Sequence, residues 1–173
     1  MKKIIVLFLF ISAFSYAQYA IKGTMSPIEN SSWVLLYKIE GTKQIFVKNT
    51  QVRKEGKTGF FEFSLPTDAK VGSYRIKYSM KRDGFMDFLF NKENIAFEFN
   101  PKDLENTIVF HESKENQIYI SFLKKIYTAQ YTLDSLQSEY FRNPSSLIKE
   151  AYIRSLRDFK KIEKEYILAS EEK

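Results

Sequence analysis

The chain has 173 residues, a formal net charge of +6, no cysteine and a single histidine. The cysteine and histidine counts exclude, within this chain, thiol redox chemistry, cysteine nucleophiles and zinc sites built from cysteines or several histidines. Basic and acidic residues are interspersed and form no sustained basic stripe, which argues against a nucleic-acid partner. The composition indicates a mildly basic domain large enough to bury a core of its own.

Residues 1–17 have the pattern of a secretory signal peptide. Two lysines follow the initiator methionine, residues 4–14 are almost unbroken apolar, and Ser15 and Ala17 put small residues before the cleavage bond. The apolar run is shorter than the ~20 residues that a membrane span needs, although an uncleaved anchor is the alternative. We predict cleavage after Ala17 and a periplasmic or exported mature chain that meets the membrane only during export.

Residues 18–112 alternate short aromatic and β-branched runs with turn signals, which indicates β-strands. The predicted strands are 19–24, 33–39, 44–51, 59–65, 73–80, 85–90, 95–100 and 107–111. The period-2 spacing of Phe61 and Phe63, and of Tyr74 and Ile76, places these four side chains in the core. One buried face and one solvent face predict an antiparallel β sandwich.

Residues 113–173 show an apolar period of about 3.6, which indicates two helices separated at Asn143-Pro144-Ser145. The apolar positions are 118, 122, 126, 129, 133, 136 and 140 in the first helix and 148, 152, 156, 159, 162 and 166 in the second. The fold class is therefore α+β, an antiparallel β sandwich followed by a two-helix hairpin. The two helices carry more large apolar side chains than their contact with each other can bury. We therefore expect self-association through the hairpin, by way of Ile153, Leu156, Ile167 and their neighbours.

We assign no catalytic, cofactor-binding or metal-binding residue from the sequence. The candidates considered are His111 with Glu112 and Ser113, and the carboxylates Asp87, Glu93 and Glu98. A catalytic triad needs a nucleophile, a base and an acid that converge in space, which neighbours along one strand do not supply. We interpret His111 as a strand-end histidine and the carboxylates as residues of solvated faces.

Three aromatic residues, Trp33, Tyr37 and Phe46, lie on predicted strands and could line a sugar-binding platform. The favoured interpretation is that they fill the core, as most of the aromatic residues in this chain would. The charged clusters at 53–57 and 81–83 are interpreted as solvated turns that discourage aggregation at sheet edges.

Several short signatures occur in a fixed order. They are Tyr19-x-Ile21-x-Gly23, Gly59-Phe60-Phe61-x-Phe63, Gly72-x-Tyr74-x-Ile76, the run Phe88 to Ile95 (FLFNKENI), and the run Ser113 to Tyr119 (SKENQIY). In this order, behind a signal peptide, they resemble the uncharacterised N-terminal β domain that precedes the thioredoxin-like domain in exported TlpA-like thiol-disulfide oxidoreductases of Gram-negative bacteria. The resemblance spans residues 19–170.

The resemblance implies an accessory role. In that family a thioredoxin-like domain with a Cys-x-x-Cys motif performs the redox chemistry, and no position of this chain matches that motif, so no catalytic residue carries over. The expectation is a non-enzymatic, partner-positioning or stabilising domain, truncated before a thioredoxin-like domain, whose partner is such a domain or an envelope protein. The alternative is a free-standing exported binding module for glycan or envelope protein.

Overall fold

The computed structural model describes residues 18–28, 32–81 and 84–171, apart from the side chain of residue 170. The predicted signal peptide and two residues of the predicted turn at 81–83 lie outside these ranges. The described residues form strands followed by helices, which confirms the α+β class. The strands are β1 Gln18–Met25, β2 Trp33–Glu40, β3 Lys43–Gln51, β4 Arg53–Glu55, β5 Thr58–Pro66, β6 Gly72–Lys77, β7 Phe85–Phe90, β8 Ile95–Phe99 and β9 Val109–Glu112. The helices are α1 Leu104–Thr107, α2 Lys114–Arg142 and α3 Ser146–Glu171.

The strands form two sheets that pack face to face. The five-stranded sheet has the order β4-β5-β1-β8-β9, and the four-stranded sheet has the order β3-β2-β6-β7. All pairs are antiparallel except β1 with β8, which run parallel. The prediction of an antiparallel sandwich is therefore confirmed with one exception. The exception arises because the chain visits the other sheet through β6 and β7 before it returns beside β1.

The core lies between the inner faces of the two sheets. Phe61, Phe63, Tyr74 and Ile76 are all buried, with Ile76 fully inaccessible, so the predicted strand faces are confirmed. Aromatic rings dominate this core: Tyr74 stacks on Phe88 with ring centroids 5.9 Å apart. Such pairs add to the free energy gained by burying apolar area.

One side of the sandwich is closed by a strand that changes sheet. β3 at the edge of the four-stranded sheet and β4 at the edge of the five-stranded sheet are separated only by Val52, which is buried. The prediction of a turn over 53–57 was therefore wrong for its first three residues. The three residues of β4 are all charged, so they show no alternation of apolar side chains from which a strand could be predicted. They form a strand because β5 supplies their hydrogen-bonding partners.

Two other boundaries differ from the prediction. β6 ends at Lys77 rather than at residue 80, because the N–H groups of Tyr78 and Ser79 both donate to the carbonyl of Gly84 instead of to a neighbouring strand. The predicted strand 107–111 begins inside α1 and becomes regular only at Val109. This segment is too short for the alternation of its apolar residues to define where the strand begins.

The helices α2 and α3 form the predicted hairpin. The Ser113 hydroxyl accepts a hydrogen bond from the N–H of Asn116 (3.3 Å), and the Ser145 hydroxyl accepts one from the N–H of Ile148 (3.2 Å). Each serine therefore caps the helix that follows it. Phe122 of α2 and Tyr166 of α3 stack with ring centroids 4.1 Å apart. Of the predicted apolar positions, Tyr140 alone is exposed.

A search of the described helices for a span long and apolar enough to cross a membrane found none.

Truncating the centre of the core tests the register of the sandwich. Phe63 is 1% exposed, so Phe63→Ala removes a ring that nothing can replace and should lower the free energy of unfolding by about 3–5 kcal/mol. Phe141→Ala, on the exposed surface of α2, is the matched control and should change it by less than about 0.5 kcal/mol. Urea unfolding measures both variants, and a loss under about 1 kcal/mol for Phe63→Ala would contradict the packing described.

Candidate functional site

His111 lies on β9 at the solvent-facing side of the five-stranded sheet. Its Nε2 is 3.5 Å from a carboxylate oxygen of Glu98 on β8, and both side chains are more than half exposed. The Ser113 hydroxyl points to other partners: it donates to Glu93 and accepts from Asn116. The structure therefore separates the serine from the histidine, in agreement with the interpretation of His111 as a strand-end residue.

The three candidate carboxylates do not converge either. Asp87 on β7 receives two hydrogen bonds from Arg75 on β6, at 2.6 and 2.7 Å. Glu93 binds Ser113, and Glu98 lies beside His111. Asp87 is also less exposed than a solvated face predicts, since Arg75 covers it and in turn lies over the ring of Phe85 at 3.7 Å. The hydrogen bond to Asp87 raises the pKa of Arg75.

Within residues 18–28, 32–81 and 84–171, no group of three or more acidic, histidine or cysteine side chains is arranged to hold a metal ion.

The first turn of α2 is fastened to the edges of both sheets. Asn116 is fully buried, and its side-chain amide accepts a hydrogen bond from the N–H of Leu89 (2.8 Å) and donates one to the carbonyl of the same residue (2.7 Å). Its amide thus takes the place of a neighbouring strand along β7. The adjacent Gln117 donates to the carbonyl of Phe110 on β9 at 2.9 Å. We call Asn116 and Gln117 the clamp.

A groove runs between α2, α1 and the edge strand β7, with a volume of about 560 Å³. Met86 and Ile108 form its apolar floor, and Tyr119 and Tyr127 stand along its α2 wall. Burial raises the pKa of Tyr119, and the nearby Tyr127 raises it further. At the mouth, the ammonium of Lys124 reaches the carbonyl of Asn106 at 3.4 Å. The groove has the size of a ligand site, but its apolar floor and mixed rim do not select a class of ligand.

The outer surface of the four-stranded sheet is rich in aromatic residues. Trp33 and Tyr37 share the outward side of β2, and Phe46 on β3 pairs with Tyr37, their ring centroids 5.8 Å apart. Trp33 is 46% exposed and Phe46 is 55% exposed. The expectation that all three fill the core was therefore wrong, since Tyr37, although half-buried, also faces outward. We call Trp33, Tyr37 and Phe46 the aromatic face.

Polar side chains border the aromatic face in defined rows. In the row through Phe46 and Tyr37, the next residues across the sheet are Arg75 and Asp87. The outward positions beside Trp33 and Leu35 on β3 are the amides Gln51 and Asn49. The surface thus combines exposed rings with hydrogen-bonding groups at fixed positions.

The hairpin carries a third surface. Ile153 is 41% exposed and Ile167 is 54% exposed, as predicted, whereas Leu156 is half-buried in the seam. Two further large apolar side chains near the turn, Phe141 and Leu147, are more exposed still. Open grooves of about 460 and 360 Å³ run along the seam, and small side chains such as Ala129, Thr132 and Ser155 line the larger one.

Sequence reasoning missed the two interactions that organise these surfaces. The bond between Asn116 and Leu89 joins residues 27 positions apart, so no local spacing in the sequence indicates it. The Arg75–Asp87 pair could have been found from the alignment of β6 with β7, since the two residues lie directly opposite each other.

Removing the clamp amide tests its structural role. Asn116→Ala leaves the N–H and the carbonyl of Leu89 without their partner, which should lower the free energy of unfolding by about 1–3 kcal/mol for each group that water cannot reach. Gln137→Ala, on an exposed position of the same helix, is the control and should be near neutral. Urea unfolding of both variants provides the comparison, and equal stability of Asn116→Ala and wild type would contradict the role assigned to Asn116.

No protein-family model matches the chain, and no curated protein matches it.

Proposed function

We propose that this protein is an exported, non-catalytic accessory domain that holds a partner protein against its helical hairpin, in the manner expected for the N-terminal part of a periplasmic thiol-disulfide oxidoreductase. The partner is a thioredoxin-like domain or an envelope protein. The observation that carries the proposal is the exposure of large apolar side chains on the hairpin, among them Ile153 and Ile167 of α3.

The energetics of the hairpin favour this function. A pair of helices that served only to cover the sandwich would turn its large apolar side chains toward the strands and toward the other helix. Here α2 is fastened to the sandwich through its first turn, and open grooves run along its seam with α3. Covering this surface with another protein would remove apolar area from water. The favourable free energy of that burial is roughly 25 cal/mol per Å² of apolar area.

A second candidate function is a free-standing exported binding module for glycan or envelope protein. A specific observation favours it, since the aromatic face is exposed on a rigid sheet rather than on a loop. Aromatic residues at surfaces commonly serve recognition, because they provide large contact area with few rotatable bonds.

Charge placed in the hairpin surface tests the first function. The mature chain should self-associate as its concentration rises, because a second copy can cover the exposed apolar residues when no other partner is present. The double variant Ile153→Glu/Ile167→Glu should remain monomeric, because association would bury two unpaired carboxylates. Light scattering over a concentration series measures both variants. Lys160→Glu/Lys164→Glu, which places two glutamates at exposed positions that are already charged, is the control.

Partner identity requires a second measurement. A photo-crosslinking side chain at position 153, introduced in the cells that make this protein, should yield an adduct with a thioredoxin-like or envelope protein. A wild-type chain that stays monomeric at every concentration and gives no adduct would contradict the proposal and favour the free-standing binding module.

Export is tested by mass. The chain expressed with residues 1–17 should be recovered from the periplasm with an intact mass that begins at Gln18, because Ser15 and Ala17 fit the small-residue positions of the cleavage site. Ala17→Arg removes the small residue next to the bond and should leave the longer chain in the membrane fraction. Retention of residues 1–17 in the wild-type protein would contradict the prediction.

A further inference from the structure

We propose that the aromatic face binds a linear chain of pyranose sugars, laid along β2 across Trp33, Tyr37 and Phe46. This inference rests on the second proposed function and names its ligand class. One face of a pyranose ring presents C–H groups, which pack on the electron-rich face of an aromatic ring. The hydroxyl groups at the ring edge then need hydrogen-bonding partners beside the aromatic residues.

The spacing of the rings fits an extended ligand. Trp33 and Tyr37 lie on the same side of β2 and are four residues apart, which corresponds to about 13 Å along a strand. Phe46 meets Tyr37 edge to face, with 73° between the ring planes, so the two rings do not form one flat platform and the more exposed Phe46 supplies the second stacking position. Two stacking positions at this distance are wider than a single sugar ring, so the face favours a chain over a monosaccharide.

The polar groups are placed for ring hydroxyls. Gln51 lies across from Trp33, and Asn49 across from Leu35, so both amides border the strip between the two stacking positions. On the other side of Tyr37, Arg75 and Asp87 hold each other in a bidentate pair. A side-chain amide can donate to a hydroxyl or accept from it, whereas the Asp87 carboxylate can only accept, through lone pairs that its bonds to Arg75 leave free.

The same ion pair argues against a protein as the occupant. The side chains of Arg75 and Asp87 are 22% and 34% exposed, so both still contact water. A protein surface packed over this row would strip that water from two charges, which costs free energy unless each charge gains a new partner. A sugar chain supplies hydroxyl groups in place of the displaced water, so the charges keep their solvation.

Trp33 is the single tryptophan of the sequence, so its fluorescence reports directly on the face. Cellohexaose and chitohexaose, titrated into the mature chain, should change the emission of Trp33 in a saturable manner, whereas glucose should have a much weaker effect. Calorimetry should give an affinity for the hexasaccharide that Phe46→Ala lowers by about three- to tenfold, through the loss of one stacking contact.

Two variants make the test specific. Phe46→Tyr keeps the ring and should keep the affinity, while Phe141→Ala removes an exposed ring from α2 and should not change it. Thermal melts establish that each variant is folded. If neither hexasaccharide changes the Trp33 emission at about 10 mM, or if Phe141→Ala lowers the affinity as much as Phe46→Ala, the proposal is overturned.

The outcome is separate from that of the hairpin experiments. The Ile153→Glu/Ile167→Glu variant leaves β2 and β3 unchanged and should bind the hexasaccharides as the wild type does. Failure of the hairpin to associate therefore does not affect the saccharide test, and absence of saccharide binding does not affect the hairpin test.

Discussion

The attachment of α2 to two sheet edges is the constraint on which the rest of the structure depends. Asn116 satisfies the N–H and the carbonyl of Leu89 on β7, and Gln117 binds the carbonyl of Phe110 on β9. The first turn of one helix thus closes the side of the sandwich that no strand covers. Because the clamp sits at the start of α2, it also fixes the direction in which the 29 residues of that helix leave the sandwich. The exposed apolar surface of the hairpin follows from this geometry.

The general architecture could be predicted because each face of each strand is set by local alternation. Phe61 and Phe63 repeat with period 2 and are buried, and the change to a period of 3.6 after Glu112 coincides with the end of β9. The parallel pairing of β1 with β8 could not be predicted in this way. Alternation states which side chains share a face of a strand, but it does not state which strand lies beside which.

For the candidate sites, too, local alternation is not enough to predict the arrangement of the residues. Local alternation places Trp33 and Tyr37 on one side of β2, yet it does not say whether that side is the core or the solvent. The decision comes from Val34 and Leu36, whose side chains are fully buried and turn the other side outward. Phe46 reaches Tyr37 only because β3 contains one extra residue between Phe46 and Lys48, a bulge that shifts the register against β2. No pattern in the sequence marks that shift.

The edge strands of both sheets are short, bulged or covered by other residues. This is why we propose binding at the faces of the domain rather than at the sheet edges. An unpaired edge strand is a template for another chain, and stable proteins block it. Here β4 has only three residues, all charged, while the clamp occupies β7 and β9. The remaining edge, β3, carries the bulge, and Lys48 reaches across to the carbonyl of Ser64 at 3.2 Å. With the edges blocked in this way, addition of a strand is disfavoured. The surfaces left for binding are the side-chain faces: the outer side of the four-stranded sheet, where rings and polar groups suit a sugar chain, and the hairpin, where aliphatic side chains suit a protein.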